Sequence, residues 1–181
     1  MFGKPRQLET EAELYDVAIR ALMRRAHSVS EMKKLLARRT ENDLLVQVVM
    51  ARLKESGQLD DTRYAKQFVR QRTEIRRQGS FRIARDLRAR GVPDRHIQAA
   101  IESAAAENAG TATDEGALIR HRMERKLKSW RGEIDDKKIA SLYRSLLRAG
   151  FSGEAIRRQL KSLGSGETLE TELAPDETPT E

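Results

Sequence analysis

The chemistry this sequence can offer is concentrated in arginine. Residues 63–95 carry eleven basic side chains (Arg63, Lys66, Arg70, Arg72, Arg76, Arg77, Arg82, Arg85, Arg88, Arg90 and Arg95). They carry three acids, Glu74, Asp86 and Asp94, for a local net of +8. Ten of the eleven are Arg, whose planar fork presents paired donors to a phosphate or a carboxylate. Such a segment suits a groove for phosphates or for an acidic protein surface, and the bland alternative is a solvated helix face. The candidate contacts for a partner or for phosphate are Arg70, Arg72, Arg76, Arg77, Arg82, Arg85, Arg88 and Arg90.

Catalytic constellations are harder to assemble. Ser28 follows His27, but adjacency in sequence does not place a base on a nucleophile. Ser28-Val-Ser-Glu31 reads better as a capping box, with Ser at the helix N-cap and Glu three residues on. Asp60-Asp61 and Asp135-Asp136 could hold a cation or share a proton. Both pairs precede helical segments, where a carboxylate caps free N–H groups and complements the helix dipole. His27, His96 and His121 are too scattered for paired ligands on one helix face, and no cysteine occurs. No GxGxxG and no GxxxxGK followed by Ser or Thr is present, so ATP binding by this chain is not expected. The expectation is a non-enzyme with no metal and no cofactor.

The elements that must position the arginines read as helices throughout. Apolar residues recur three and four apart, and strand signals are nearly absent. Taking Thr40, Gly91 and Gly150 as reference positions exposes an internal repeat. Four residues earlier stand Leu36, Leu87 and Leu146; eight earlier stand Met32, Ile83 and Leu142. Six, ten and thirteen later stand Val46, Met50 and Leu53, then Ile97, Ile101 and Ala104, then Ile156, Leu160 and Leu163. Glycine at the reference ends one helix, and the later offsets form the apolar stripe of the next. Asn42 and Ser152 are placed as N-caps, and Pro93 is placed to start its helix. A further helix precedes each pair: about Glu11–Arg25 with Tyr15, Ala18 and Leu22 inward, one after Asp60-Asp61 with Tyr64, Ala65, Phe68 and Val69 inward, and about Glu115–Lys128 with Ile119, Met123 and Leu127 inward.

The fold expected is all-α, three tandem three-helix repeats forming an elongated, curved body. The divisions are an N-terminal tail 1–10, repeats at 11–58, 59–109 and 110–163, and an acidic disordered tail at 164–181. That tail holds six acids and no base, and without it the chain has 35 bases against 22 acids. A basic body implies a polyanionic partner. Only 4% of residues are aromatic, against base stacking as the main mode. No apolar run is long enough to span a bilayer and no signal peptide opens the sequence, so a cytoplasmic location is expected.

Ser28-Val-Ser-Glu-Met-Lys-Lys-Leu-Leu36 is similar to the first-repeat pattern of the RecX family. Leu53-Lys-Glu-Ser-Gly-Gln-Leu-Asp-Asp-Thr-Arg-Tyr-Ala65 resembles its most recognisable run, and Arg88-Ala-Arg-Gly-Val92 and Arg148-Ala-Gly-Phe-Ser152 resemble its recurrent Arg-x-Gly turns. The resemblance spans about residues 12–163. It implies tandem three-helix repeats that bind the RecA recombinase filament on single-stranded DNA, in the filament groove. It further implies inhibition of RecA ATP hydrolysis and strand exchange, and a role in recombination, DNA repair and the SOS response. DNA would be met through the filament, with direct contact left open. Separately from the resemblance, the chain is expected to be a monomer. Thr40 departs from the family pattern, which more often has glycine there, so the first turn should differ. The alternatives are a direct DNA-binding module or transcription factor, and a helical scaffold for some other acidic protein.

Overall fold

The computed structural model describes residues 7–130 and 134–161. The tail at 164–181, most of the tail at 1–10, and Leu163 lie outside the described residues. Among the described residues the secondary structure is helical: α1 Glu11–Arg24, α2 Val29–Ala37, α3 Asp43–Glu55, α4 Asp61–Glu74, α5 Ser80–Ala89, α6 Asp94–Asn108, α7 Glu115–Lys128, α8 Asp136–Arg148 and α9 Gly153–Lys161. In chain order these form three successive sets of three. None of them is long and apolar enough to cross a membrane.

The helix starts follow the local sequence. Thr10, Ser28, Asn42, Asp114 and Asp135 each accept a backbone N–H of the first turn that follows. Ser28 and Glu31 complete a capping box. Ser152 accepts the Ala155 N–H at the start of α9. The helix ends divide by residue type. Gly91 and Gly150 take left-handed backbone, φ 73° and 92°. There the N–H groups of Val92 and Phe151 reach back five residues to the carbonyls of Leu87 and Leu146. Thr40 does not take that conformation. It is buried, and its hydroxyl accepts the Asn42 N–H, so the first turn differs as its side chain requires.

Two compact units result. One gathers the described residues up to Gln71 together with Ala84–Ala104; the other gathers Arg72–Ile83 with the described residues from Ala105 onward. In the first, α1, α2 and α3 pack around Leu14, Ala18, Met32, Leu36, Val46, Val49, Met50 and Leu53. Leu14 is the fully buried residue of the first turns of α1, where Tyr15 and Leu22 were expected; both of those are half-buried. In the second, α7, α8 and α9 pack around Ile119, Met123, Leu142, Leu146, Phe151, Ile156 and Leu160. The expected stripe of α6 is only partly buried, since Ile97 is inside while Ile101 and Ala104 are half-exposed.

Candidate partner-binding surface

The eight candidate arginines fall four to each unit. Arg70, Arg85, Arg88 and Arg90 belong to the first, and Arg72, Arg76, Arg77 and Arg82 to the second.

Arg90 of the first unit is a structural residue. Its Nη1 donates to Glu31 Oε1 at 2.8 Å, and its guanidinium lies 5.2 Å from the Phe68 ring centre. Its carbonyl accepts the Ser28 hydroxyl at 2.6 Å. Glu31 is also held by Arg25, at 3.1 Å. Burial would raise the Glu31 pKa. Hydrogen bonds from Arg25 and the Ser28 N–H, with the charges of Arg25 and Arg90, outweigh it and hold the carboxyl below its ordinary value. Arg88 pairs with Asp94 at 2.6 Å, an exposed contact of little weight. Arg85 and Arg70 are exposed.

The second unit treats its arginines differently. Arg77 follows the end of α4 in left-handed backbone, φ 49°, the one non-glycine residue of the described chain with positive φ. That conformation costs an L residue about 1–2 kcal/mol, and helices usually give the position to glycine. Tertiary contacts hold it. Arg122 on α7 donates Nε to the Arg77 carbonyl at 3.0 Å and Nη2 to the Arg76 carbonyl at 3.3 Å. The Arg77 guanidinium meets Nε2 of His121. Arg82, on the first turn of α5, donates Nη1 to the Arg148 carbonyl at 3.3 Å. Arg76 is exposed and Arg72 half-buried. Burial, then the charges of Arg125, Arg82 and Arg77, lower the Arg122 pKa.

The segment that carries these residues is tightly seated. Gly79 donates its N–H to the Ala149 carbonyl at 2.9 Å, and Phe81 donates to the Gly150 carbonyl at 3.1 Å. A Cβ on Gly79 would stand 2.1 Å from the Gly150 oxygen. Phe81 itself is 65% exposed and Ile75 69%, so two large apolar side chains flank the basic segment.

The remaining candidates serve the fold. Asp60 accepts the N–H groups of Thr62 and Arg63, which caps α4. Asp61 turns away and accepts the Val29 N–H at 2.9 Å, which caps α2 across a separation of 32 residues. The His27 ring donates Nδ1–H to the Arg25 carbonyl at 2.9 Å, because a carbonyl can only accept. Ser28 spends its hydroxyl proton on Arg90, so no Ser–His pair forms. No group of three or more His, Asp or Glu that could hold a metal occurs among the described residues. Sequence reasoning missed Arg122 and His121. The basic run of α7 was visible, but its meeting with Arg77 was not.

Comparison with known proteins gives this architecture its family. The family model for the second three-helix domain of RecX matches residues 60–101. The regulatory protein RecX of Chromohalobacter salexigens is 34% identical over 150 residues, covering 83% of this chain and 92% of that protein. That of Prosthecochloris aestuarii is 30% identical over 77% of this chain and 85% of its own length. That of Halorhodospira halophila is 46% identical, but this match spans only 49% of this chain and 55% of that protein. Among solved structures, RecX from Lactobacillus salivarius superposes with a TM-score of 0.70 at 18% identity, over 85% of this chain and 96% of the other. The fold, the matched domain and the nearly full-length relatives agree: this chain belongs to the RecX family of regulatory proteins.

Proposed function

We propose that this chain regulates the RecA recombinase by binding its filament on single-stranded DNA and inhibiting RecA ATP hydrolysis and strand exchange. It would do so in the cytoplasm, by binding and without a catalytic step of its own. The observation that carries the reading is membership in a family of proteins named for regulation, at near full length. The arginines support it. Arg70, Arg76 and Arg85 are exposed and basic, suited to an acidic protein groove or to phosphates held in it. Arg90 is a weaker contact candidate, since it is half-buried and already holds Glu31. The boundaries 11–58, 59–109 and 110–163 are proposed as the repeats that engage the filament.

The test is the rate of RecA ATP hydrolysis on single-stranded DNA with and without this protein. Inhibition that saturates near equimolar binding sites supports the reading; an unchanged rate removes it. Replacing Arg70, Arg76 and Arg85 with Ala should weaken inhibition about tenfold, the worth of one or two charge-assisted contacts. Full inhibition by a folded triple variant would clear these residues of the role. Sequence-specific DNA binding without RecA in a gel shift would favour a DNA-binding module instead.

A further inference from the structure

The second compact unit places cationic groups together without the anion that their chemistry calls for. Arg77, Arg82 and Arg122 gather at the junction of the α4–α5 loop with α7, with Arg125 close enough to act on Arg122. None of these four pairs with a carboxylate among the described residues, and the contacts they make go to backbone carbonyls, to an imidazole and to the face of Phe151. Like charges packed this way repel each other unless something negative joins them.

Two buried donors at the same place are unsatisfied. Nε of Arg82 and Nδ1 of His121 are both shielded from solvent and lack a hydrogen-bond partner. The His121 assignment follows from its neighbour. A guanidinium can only donate, so Nε2 of His121 must accept from Arg77, and the neutral ring then carries its proton on Nδ1. A buried N–H without an acceptor is costly and calls for an explanation. The loop also supplies a buried acceptor without a partner, Oε1 of Gln78, which suits the hydroxyl of a hydrogen phosphate. Arg77 meanwhile holds a left-handed conformation that glycine would adopt at no cost. Backbone strain of this kind persists where the surroundings enforce it, and it concentrates at ligand sites.

We propose that Arg77, Arg82, His121 and Arg122 form a receptor for a phosphate group. A tetrahedral oxyanion can accept from several N–H donors at once and cancels the mutual repulsion of the guanidiniums. One carboxylate, with two oxygens and a single charge, satisfies fewer of them. The phosphate can come from a nucleic-acid backbone or from a free small molecule. The site needs no recombinase, so it stands or falls separately from the regulatory reading.

The experiment follows the His121 ring and Arg Nε resonances of the full chain by NMR, during titration with sodium phosphate and with a short oligodeoxythymidylate at constant ionic strength. Saturable shifts with both probes support a receptor that takes free phosphate. Saturable shifts with the oligonucleotide alone support one that takes the backbone. The absence of saturable shifts with either overturns the proposal. Arg82→Lys keeps the charge and removes the Nε–H. It should weaken binding about tenfold, as for a lost charge-assisted hydrogen bond, whereas a merely attractive field would leave affinity unchanged and overturn the geometry. Arg77→Gly removes a guanidinium while easing the backbone, so a folded variant with full affinity also overturns the assignment.

Discussion

Arg90 of the first unit and the Arg77, Arg82 and Arg122 group of the second are held in opposite ways. In the first, Arg90 faces Glu31 and lies against Phe68, and its backbone is clamped by Ser28. In the second, Arg77, Arg82 and Arg122 meet carbonyls, an imidazole and one another. A half-buried guanidinium with a half-buried carboxylate partner, as Arg90 has in Glu31, serves the fold, because its charge is already spent. One held by neutral acceptors keeps its positive charge for a partner. A count of arginines cannot distinguish the two.

The largest effect is expected where backbone meets backbone. Gly79→Ala drives a Cβ into the Gly150 carbonyl and should lower stability by about 3 kcal/mol, read from a urea midpoint. Gly57→Ala in the first unit, where φ is positive but the space around the residue is open, should cost only about 1 kcal/mol. Equal losses would show that the seating of the basic segment is loose. Next comes Arg90→Met, which strips a half-buried carboxylate of one partner and should cost about 1–2 kcal/mol, against less than about 0.5 for Arg85→Met on an exposed face. Arg77→Gly should change stability by less than about 1 kcal/mol, since relief of the left-handed strain offsets the lost contact and the added freedom of the unfolded chain.

The smallest effect is on pH dependence and belongs to the first unit. Burial lowers the His27 pKa, reinforced by the charges of Arg25 and Arg90 and opposed by the Arg25 carbonyl and by Glu31. The folded state therefore prefers the neutral ring. Its contribution is complete above the ordinary value of 6.5 and is lost as pH falls below that through the folded pKa. Glu31, also depressed, adds a second loss that begins below its ordinary 4.5. Chemical denaturation at pH 7.5 and pH 5.5 should show the first loss in the parent, and His27→Phe should abolish it. An unchanged difference in that variant would place the titrating group elsewhere.

Much of the local structure was legible. Ser28, Asn42, Asp60, Asp135 and Ser152 cap the helices their positions suggested. The stripes of α2, α3, α5 and α8 turn inward at the spaced positions, as does that of α9 at Ile156 and Leu160. Thr40 alters its turn because a β-branched residue avoids the left-handed region. Less legible were the residues with two neighbours to choose between. The carboxylates of Asp60-Asp61 cap two different helices, and the inward residue of early α1 is Leu14, not Tyr15.

Spacing along one chain is enough to give the helices, most of their caps, the inward stripes of α2, α3, α5 and α8, and the concentration of positive charge between residues 63 and 95. Tertiary structure decided which arginines keep their charge. That depends on Glu31 meeting Arg90 across 59 residues and on α7 bringing Arg122 and His121 to Arg77 across 45 and 44. Packing creates such meetings, and no local period encodes them.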